Sequence, residues 1–268
     1  MKSLQGIGLA DVQAVYSGPE AELWELLMGE QIHLGGLESS RELAASAGIQ
    51  AGMVGVDLCC CTGAGMRFLL RWCGVARMIG VDATPAVIAK GHTRNQAAGV
   101  SDRIGFVEAD ASATPLSDAA FDFVWGEDAW CYVVDKRALL AEAVRLLRPG
   151  GVVAFTDWVE GPAGLTDGEA DRWLRFMKFP SVLDLPGYAA LLEASGCEVL
   201  VARDTGRFAR CVELYCDMIR VQLAYDALRI LGFDTAQFDA LANEMQFMHQ
   251  LARQGKIAQG MFVARKKG

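Results

Sequence analysis

The chain has 268 residues, 52% of them hydrophobic and 22% charged, and a formal net charge of −8. That length and apolar fraction suit one large α/β domain with a helical cover. The acidic balance, with no long Lys/Arg run, argues against nucleic acid as a partner, and no apolar run is long enough to span a membrane.

Eight cysteines could suggest a disulfide scaffold, but the chain is too long for that class. Its opening, MKSLQGIGLADVQ, has no signal-peptide core, so a reducing, cytoplasmic setting is expected. Cys59, Cys60 and Cys61 are contiguous and would alternate in direction if extended, so no metal site is expected there.

Helical patterns come first, over Gly8–Gly48, broken at Gly18-Pro19 and Gly35-Gly36. A strand over Met53–Cys60 then ends in small residues, with a helix behind it at Met66–Trp72. Further β-branched apolar runs lie at Arg77–Asp82, Ile104–Glu108, Phe121–Trp125 and Val152–Thr156. Before the last of these, Leu139, Leu140, Val144 and Leu147 share one face of a helix over Lys136–Leu147, and Arg148-Pro149-Gly150-Gly151 stops it. Two more strands are expected at Glu198–Ala202 and Ile257–Ala264. Between them, Val212, Tyr215, Ile219, Leu223 and Leu228 recur at helical spacing within Phe208–Gln250. The alternation predicts an α/β fold with a doubly wound, mostly parallel seven-stranded sheet. A helical leader over residues 1–50 precedes a main domain over 51–268, with a helical lid at about 206–252.

The acids at the strand ends carry the chemistry. Asp57 precedes the turn Cys59–Gly65, and Asp82 ends the next strand. A dinucleotide fingerprint has G-x-G-x-x-G facing a pyrophosphate and one ribose acid further on. Here a carboxylate stands before the turn, where it would repel a pyrophosphate but suit an ammonium or sulfonium group. S-adenosylmethionine carries both, and its ribose would bond Asp82.

In this order and spacing the chain resembles the class I S-adenosylmethionine-dependent methyltransferases, with their Rossmann-like fold, over nearly its whole length. Asp57 to Gly65 is similar to their loop D-x-G-x-G-x-G, and Asp82 to their ribose-binding acid. Glu108-Ala109-Asp110-Ala111 resembles the segment in which Asp110 would bond the adenine amino group and Ala111 would supply an amide. Phe121–Trp125 and Leu147–Gly151 resemble the fourth strand and the turn before the fifth. Gly29–Gly35 with Tyr16-Ser17, Gly126-Glu127-Asp128-Ala129 and Leu183–Tyr188 are similar to segments of the glycine, sarcosine and dimethylglycine N-methyltransferases. Cys59 and Cys61 depart from the family's glycines; Cys61 is the one expected to crowd the cofactor, Cys59 the harmless one.

The resemblance implies cofactor contacts from Asp57, Cys59, Cys61, Gly63, Asp82, Asp110, Ala111 and Glu127, and no metal. It implies His33, Asp128 and Tyr132 at the reaction centre, with Tyr16, Trp130, Asp157 and Trp158 as further candidates. Asp128 reads equally as a helix N-cap, and Trp125, Trp130 and Trp158 as core packing. The expected reaction is in-line methyl transfer to a small molecule, most readily an amine nitrogen, by an enzyme that binds neither nucleic acid nor membrane. A homodimer is compatible with the sequence. The alternatives are an oxygen or carbon acceptor on a larger natural product, and a non-catalytic module that keeps the fold.

Overall fold

A computed structural model describes residues 1–268. A two-residue strand β1 (Lys2–Ser3) leads into α1 (Leu9–Tyr16), α2 (Pro19–Met28) and α3 (Gly36–Ser46). The breaks fall at the glycines expected: Gly18 precedes a helix-starting proline, and Gly35 adopts a left-handed φ of 84°. The main domain then alternates β2 (Val54–Leu58), α4 (Ala64–Trp72), β3 (Arg77–Asp82), α5 (Pro85–Ala97), β4 (Ile104–Glu108), β5 (Phe121–Glu127), α6 (Lys136–Leu146) and β6 (Leu147–Glu160). After it come α7 (Asp167–Met177), β7 (Ser181–Val182), α8 (Leu185–Ala194), β8 (Cys197–Asp204), α9 (Phe208–Asp217), α10 (Ala224–Ile230), α11 (Thr235–Arg253) and β9 (Ile257–Lys266). No helix is long and apolar enough to cross a membrane.

Seven strands form one sheet in the order β4-β3-β2-β5-β6-β9-β8. Strands β2 to β6 pair in parallel, and β9 enters antiparallel between β6 and β8. The chain winds outward from β2 to β3 and β4, then returns to place β5 on the other side of β2. That reversal leaves a crevice over the carboxyl ends of β2 and β5, where such folds bind ligands.

Three apolar cores hold these layers. One lies between the sheet, α6 and α8, centred on Phe155, which stacks on Trp130 at 4.1 Å and on Phe262 at 4.6 Å. A second lies on the opposite face, with Met66, Leu69, Phe123 and Trp125, and draws in Leu43 and Ala44 of α3. The third is a helical cap that joins Leu27 and Leu34 of the leader to Trp173 of α7, Val212 of α9 and Met245 of α11. The cap is therefore built from three separated stretches, and α7 is its keystone. Trp158, Trp173, Phe179 and Phe208 meet there at centroid distances of 4.9 to 6.5 Å.

Phe155 is fully buried at the centre of the sheet core. Phe155→Ala should cost about 3–5 kcal/mol, read as a lower urea midpoint with unchanged m-value; a loss below about 1 kcal/mol would mean the cluster collapses onto the space.

Candidate active site

The strand ends bring the acids together. Asp57 lies in the last turn of β2, Asp82 ends β3, Glu127 ends β5, and Asp110 follows β4. All four border a single cavity of about 230 Å³. Its wall is completed by Cys59, Cys61 and Gly65 from the loop before α4, by Ala111, Asp128 and Tyr132, and by Tyr16, Gln31 and His33 from the leader.

Asp57 is 4% exposed, and no group of the protein donates a hydrogen bond to it; burial lifts its carboxyl well above the usual range, and the Glu127 and Asp82 carboxylates lift it further. Burial also raises Asp82, but amides oppose it: Cys61 N donates to Oδ2 and Thr84 N to Oδ1, both at 2.9 Å. Glu127 accepts from Ser40 Oγ at 2.6 Å and lies 3.2 Å from His33 Nε2. A carboxylate only accepts, so the neutral imidazole keeps its hydrogen on Nε2 and its lone pair on Nδ1, which is buried without a partner.

Gly65 lets α4 start against these acids. A Cβ there would stand 2.5 Å from Glu127 Oε2, 3.1 Å from Trp125 Nε1 and 3.5 Å from Asp57 Oδ2. Trp125 Nε1 is itself buried and unpartnered. Only a hydrogen-sized side chain lets α4 approach these groups, and the two carboxylates give this end of the cavity a negative character that suits a cationic group.

Asp128 turns the chain at the end of β5 with a left-handed φ of 52°. It is not an N-cap. Its Oδ2 accepts from Leu34 N at 2.8 Å, and Gln259 Nε2 donates to both oxygens at 2.7 and 2.9 Å and reaches Leu34 O at 3.2 Å. One buried carboxylate therefore fastens the leader to β9.

A side chamber of about 20 Å³ adjoins this point. It shares Tyr16, Ile32, His33, Asp128 and Tyr132 with the main cavity, and adds Trp24, Met28, Trp158 and Met177. Tyr16 and Tyr132 meet edge to face at 5.6 Å, and burial raises both phenols. The volume admits one water- or methyl-sized group.

Several expectations change. Gly63 does not border the cavity; it caps α4 with φ 76°, and a Cβ there would meet Met66 and Phe106. Cys59 is as strained as Cys61, with φ of 62° and 48°, because the loop leaves the extended conformation immediately after Leu58. Trp130 points into the sheet core and donates to Leu58 O at 3.1 Å. Asp157 lies inside β6, since pairing with β9 carries that strand to Glu160; it is fully buried, raised to about 6 by burial, and accepts from Tyr188 and from Cys131 N. The Leu183–Tyr188 segment starts α8 behind the sheet, with Tyr188 in that core. Trp24, Met28, Ser40 and Gln259 also line the two cavities or hold their residues, and no local pattern in the sequence marks them. Gln31 and Gly65 lie in segments that the sequence pointed to only as a whole.

Two outcomes follow from strain and charge. Each of Cys59→Gly and Cys61→Gly should stabilise the fold by about 0.5–1 kcal/mol by removing a left-handed non-glycine residue; a loss in urea denaturation would show that thiol packing outweighs the strain. For Asp57 the folded-state value is raised, so its stability contribution is present below the unfolded value near pH 4 and is lost as pH rises through the folded one. Asp57→Asn should therefore raise the melting temperature of the ligand-free protein at pH 8 by roughly 2–4 °C, and by less at pH 5. An equal gain at both would disprove the charge account.

Comparison with known proteins agrees with this geometry. A family model described as a methyltransferase domain matches residues 56–155. The 27-O-demethylrifamycin SV methyltransferase of Amycolatopsis mediterranei is 30% identical over 205 residues, which cover 71% of this chain and 75% of that one. The dimethylglycine N-methyltransferase of Parasynechococcus marenigrum is 34% identical over 183 residues, 63% of this chain and 64% of its own length. In fold, the chain is similar to a Galdieria sulphuraria protein described as a sarcosine dimethylglycine methyltransferase, with a TM-score of 0.82 at 22% identity over 95% of this chain and 99% of the other. Strand order, the acid-ended strands and these relatives lead to one conclusion: the chain belongs to the class I S-adenosylmethionine-dependent methyltransferases.

Proposed function

We propose that this enzyme methylates the nitrogen of a small amine, and that the acceptor enters at the aromatic side chamber. The observation that carries this reading is the meeting of Tyr16, Tyr132, Asp128 and His33 where the main cavity adjoins the side chamber, with Trp24 and Trp158 in the side chamber's own wall. Aromatic faces and a carboxylate stabilise an ammonium, and a neutral hydroxyl acceptor gains less from them. The dimethylglycine N-methyltransferase among its relatives supports the same class.

S-adenosylmethionine supplies an electrophilic methyl group on a sulfonium. In this reading Asp57 and Glu127 hold its ammonium, which removes the like-charge repulsion that raises Asp57. Asp82, already fixed by two amides, takes the ribose hydroxyls with its remaining lone pairs. Asp110 is held by Ser112, whose N and Oγ both donate to Oδ1 at 2.8 and 2.7 Å, and its other oxygen is left for the adenine amino group beside the Ala111 amide. Cys59 and Cys61 line the methionine part.

The acceptor must present a lone pair, so its ammonium proton has to leave. In this reading the His33 imidazole, which borders both the main cavity and the side chamber, takes that proton. Asp128 and the tyrosines then orient the neutral nitrogen, and holding the reacting atoms in line supplies much of the acceleration.

The test is a panel of primary, secondary and tertiary amines beside phenols and alcohols, followed as S-adenosylhomocysteine formed. Amine turnover is expected; turnover of hydroxyl acceptors alone would refute the reading. His33→Gln should lower kcat by about 10²- to 10⁴-fold, while cofactor affinity changes little. Asp82→Ala should instead weaken the cofactor by about 10-fold or more, seen by calorimetry.

A further inference from the structure

The charges around the cavity are one-sided. Asp57, Asp82, Asp110, Glu127 and Asp128 all border it, and neither the cavity nor the side chamber has a single Lys or Arg in its wall. Cations on nearby elements are already engaged. Arg67 donates to Thr62 O, Asn95 and Glu30, Arg94 pairs with Glu25, and Lys136 Nζ is spent on the carbonyls of Cys131, Val133 and Ser181. Arg207 pairs with Glu42 beneath Gly35, outside the wall, although its Nη1 has no partner.

Several backbone donors around the wall are already engaged. The amides of Cys61 and Thr84 are taken by Asp82, that of Ser112 by Asp110, and that of Leu34 by Asp128. The start of α4, where an anion could meet free N–H groups, already faces the Glu127 and Asp57 carboxylates across Gly65. An acceptor bearing a carboxylate or phosphate would bring a further negative charge among these acids, with no Lys or Arg in the wall to pair with it.

The side chamber is restrictive in a second way. Its own walls are two tryptophans and two methionines, its one carboxylate is Asp128, and its volume of about 20 Å³ fits one methyl-sized substituent. The main cavity is bordered by Leu9, Val12, Val133 and Val134, of which Leu9 is 46% and Val134 60% exposed. That rim suits an apolar body extending outward.

Resting on the amine reading above, we infer that the acceptor is an N-methylated amine with an apolar body and no anionic group, so that amino acids and phosphorylated amines are rejected. The seat of this selectivity is a wall with several carboxylates and no Lys or Arg. It separates the enzyme from any that must grip an acceptor's carboxylate or phosphate.

A matched pair tests it: N,N-dimethylpentylamine against 4-(dimethylamino)butanoate, similar in length and amine basicity. Both kcat/KM and affinity for the complex with S-adenosylhomocysteine are measured, affinity through tryptophan fluorescence. The amine should exceed the acid about 100-fold or more in both, as expected for an uncompensated charge in a buried site. Met28→Lys, a half-buried wall position, should narrow that ratio about 10-fold. An acid bound or methylated as well as the amine overturns the inference, as does failure of both to bind. Selective binding of the amine without methylation of either compound overturns the amine-transfer reading but sustains the exclusion of anions.

Discussion

A carboxylate held out of water with no donor to answer it is the constraint around which this molecule is arranged. Asp57 stands at the end of the central strand with Glu127 and Asp82 beside it, and the protein supplies no cation. Such an arrangement costs stability in the absence of ligand. It persists because the sheet reverses its winding between β2 and β5, so that two acid-ended strands lie side by side. The cationic methionine portion of the cofactor is the natural complement, and Gly65 keeps the start of α4 close without filling the space.

Closing the site over that charge requires the leader to be fixed from below. Asp128 and Gln259 do this by clamping Leu34 through both its N–H and its C=O, with Ser40 and His33 reaching Glu127 a short distance away. The remaining support is apolar: α2, α7, α9 and α11 share one core, whose aromatic side lines the side chamber. Packing and chamber wall are therefore the same residues, as with Trp158, which packs against Trp173 and lines the chamber. A chamber built this way has little freedom to adapt its shape.

The cysteine loop shows how far a backbone conformation can persist without its usual residues. Cys59 and Cys61 adopt the left-handed region that glycine favours, and Asp82 secures the loop by accepting the Cys61 amide. Burial raises the Cys61 thiol to about 12, so these thiols sit in the wall as small neutral side chains rather than as nucleophiles or metal ligands.

The periodicity of the sequence was enough to find seven strands and most helices, because alternating β-branched runs and helical faces are local properties. Asp57, Asp82 and Asp110 were legible for the same reason: they stand at or just after strand ends, and parallel strands of a doubly wound sheet end on one side; Glu127 was named only through the family resemblance of Gly126-Glu127-Asp128-Ala129. Tertiary structure alone decided the rest. Gln259 joined the site from the last strand because β9 inserts next to β6, and Trp24, Met28 and Met177 became one wall because distant helices share a core. Asp157 left the site because pairing with β9 lengthened β6, and Gly63 yielded its place at the cavity to Gly65 because it turns away to cap α4. Sequence fixes what each segment becomes, but which side chains face one another across long chain separations depends on packing that no local pattern records.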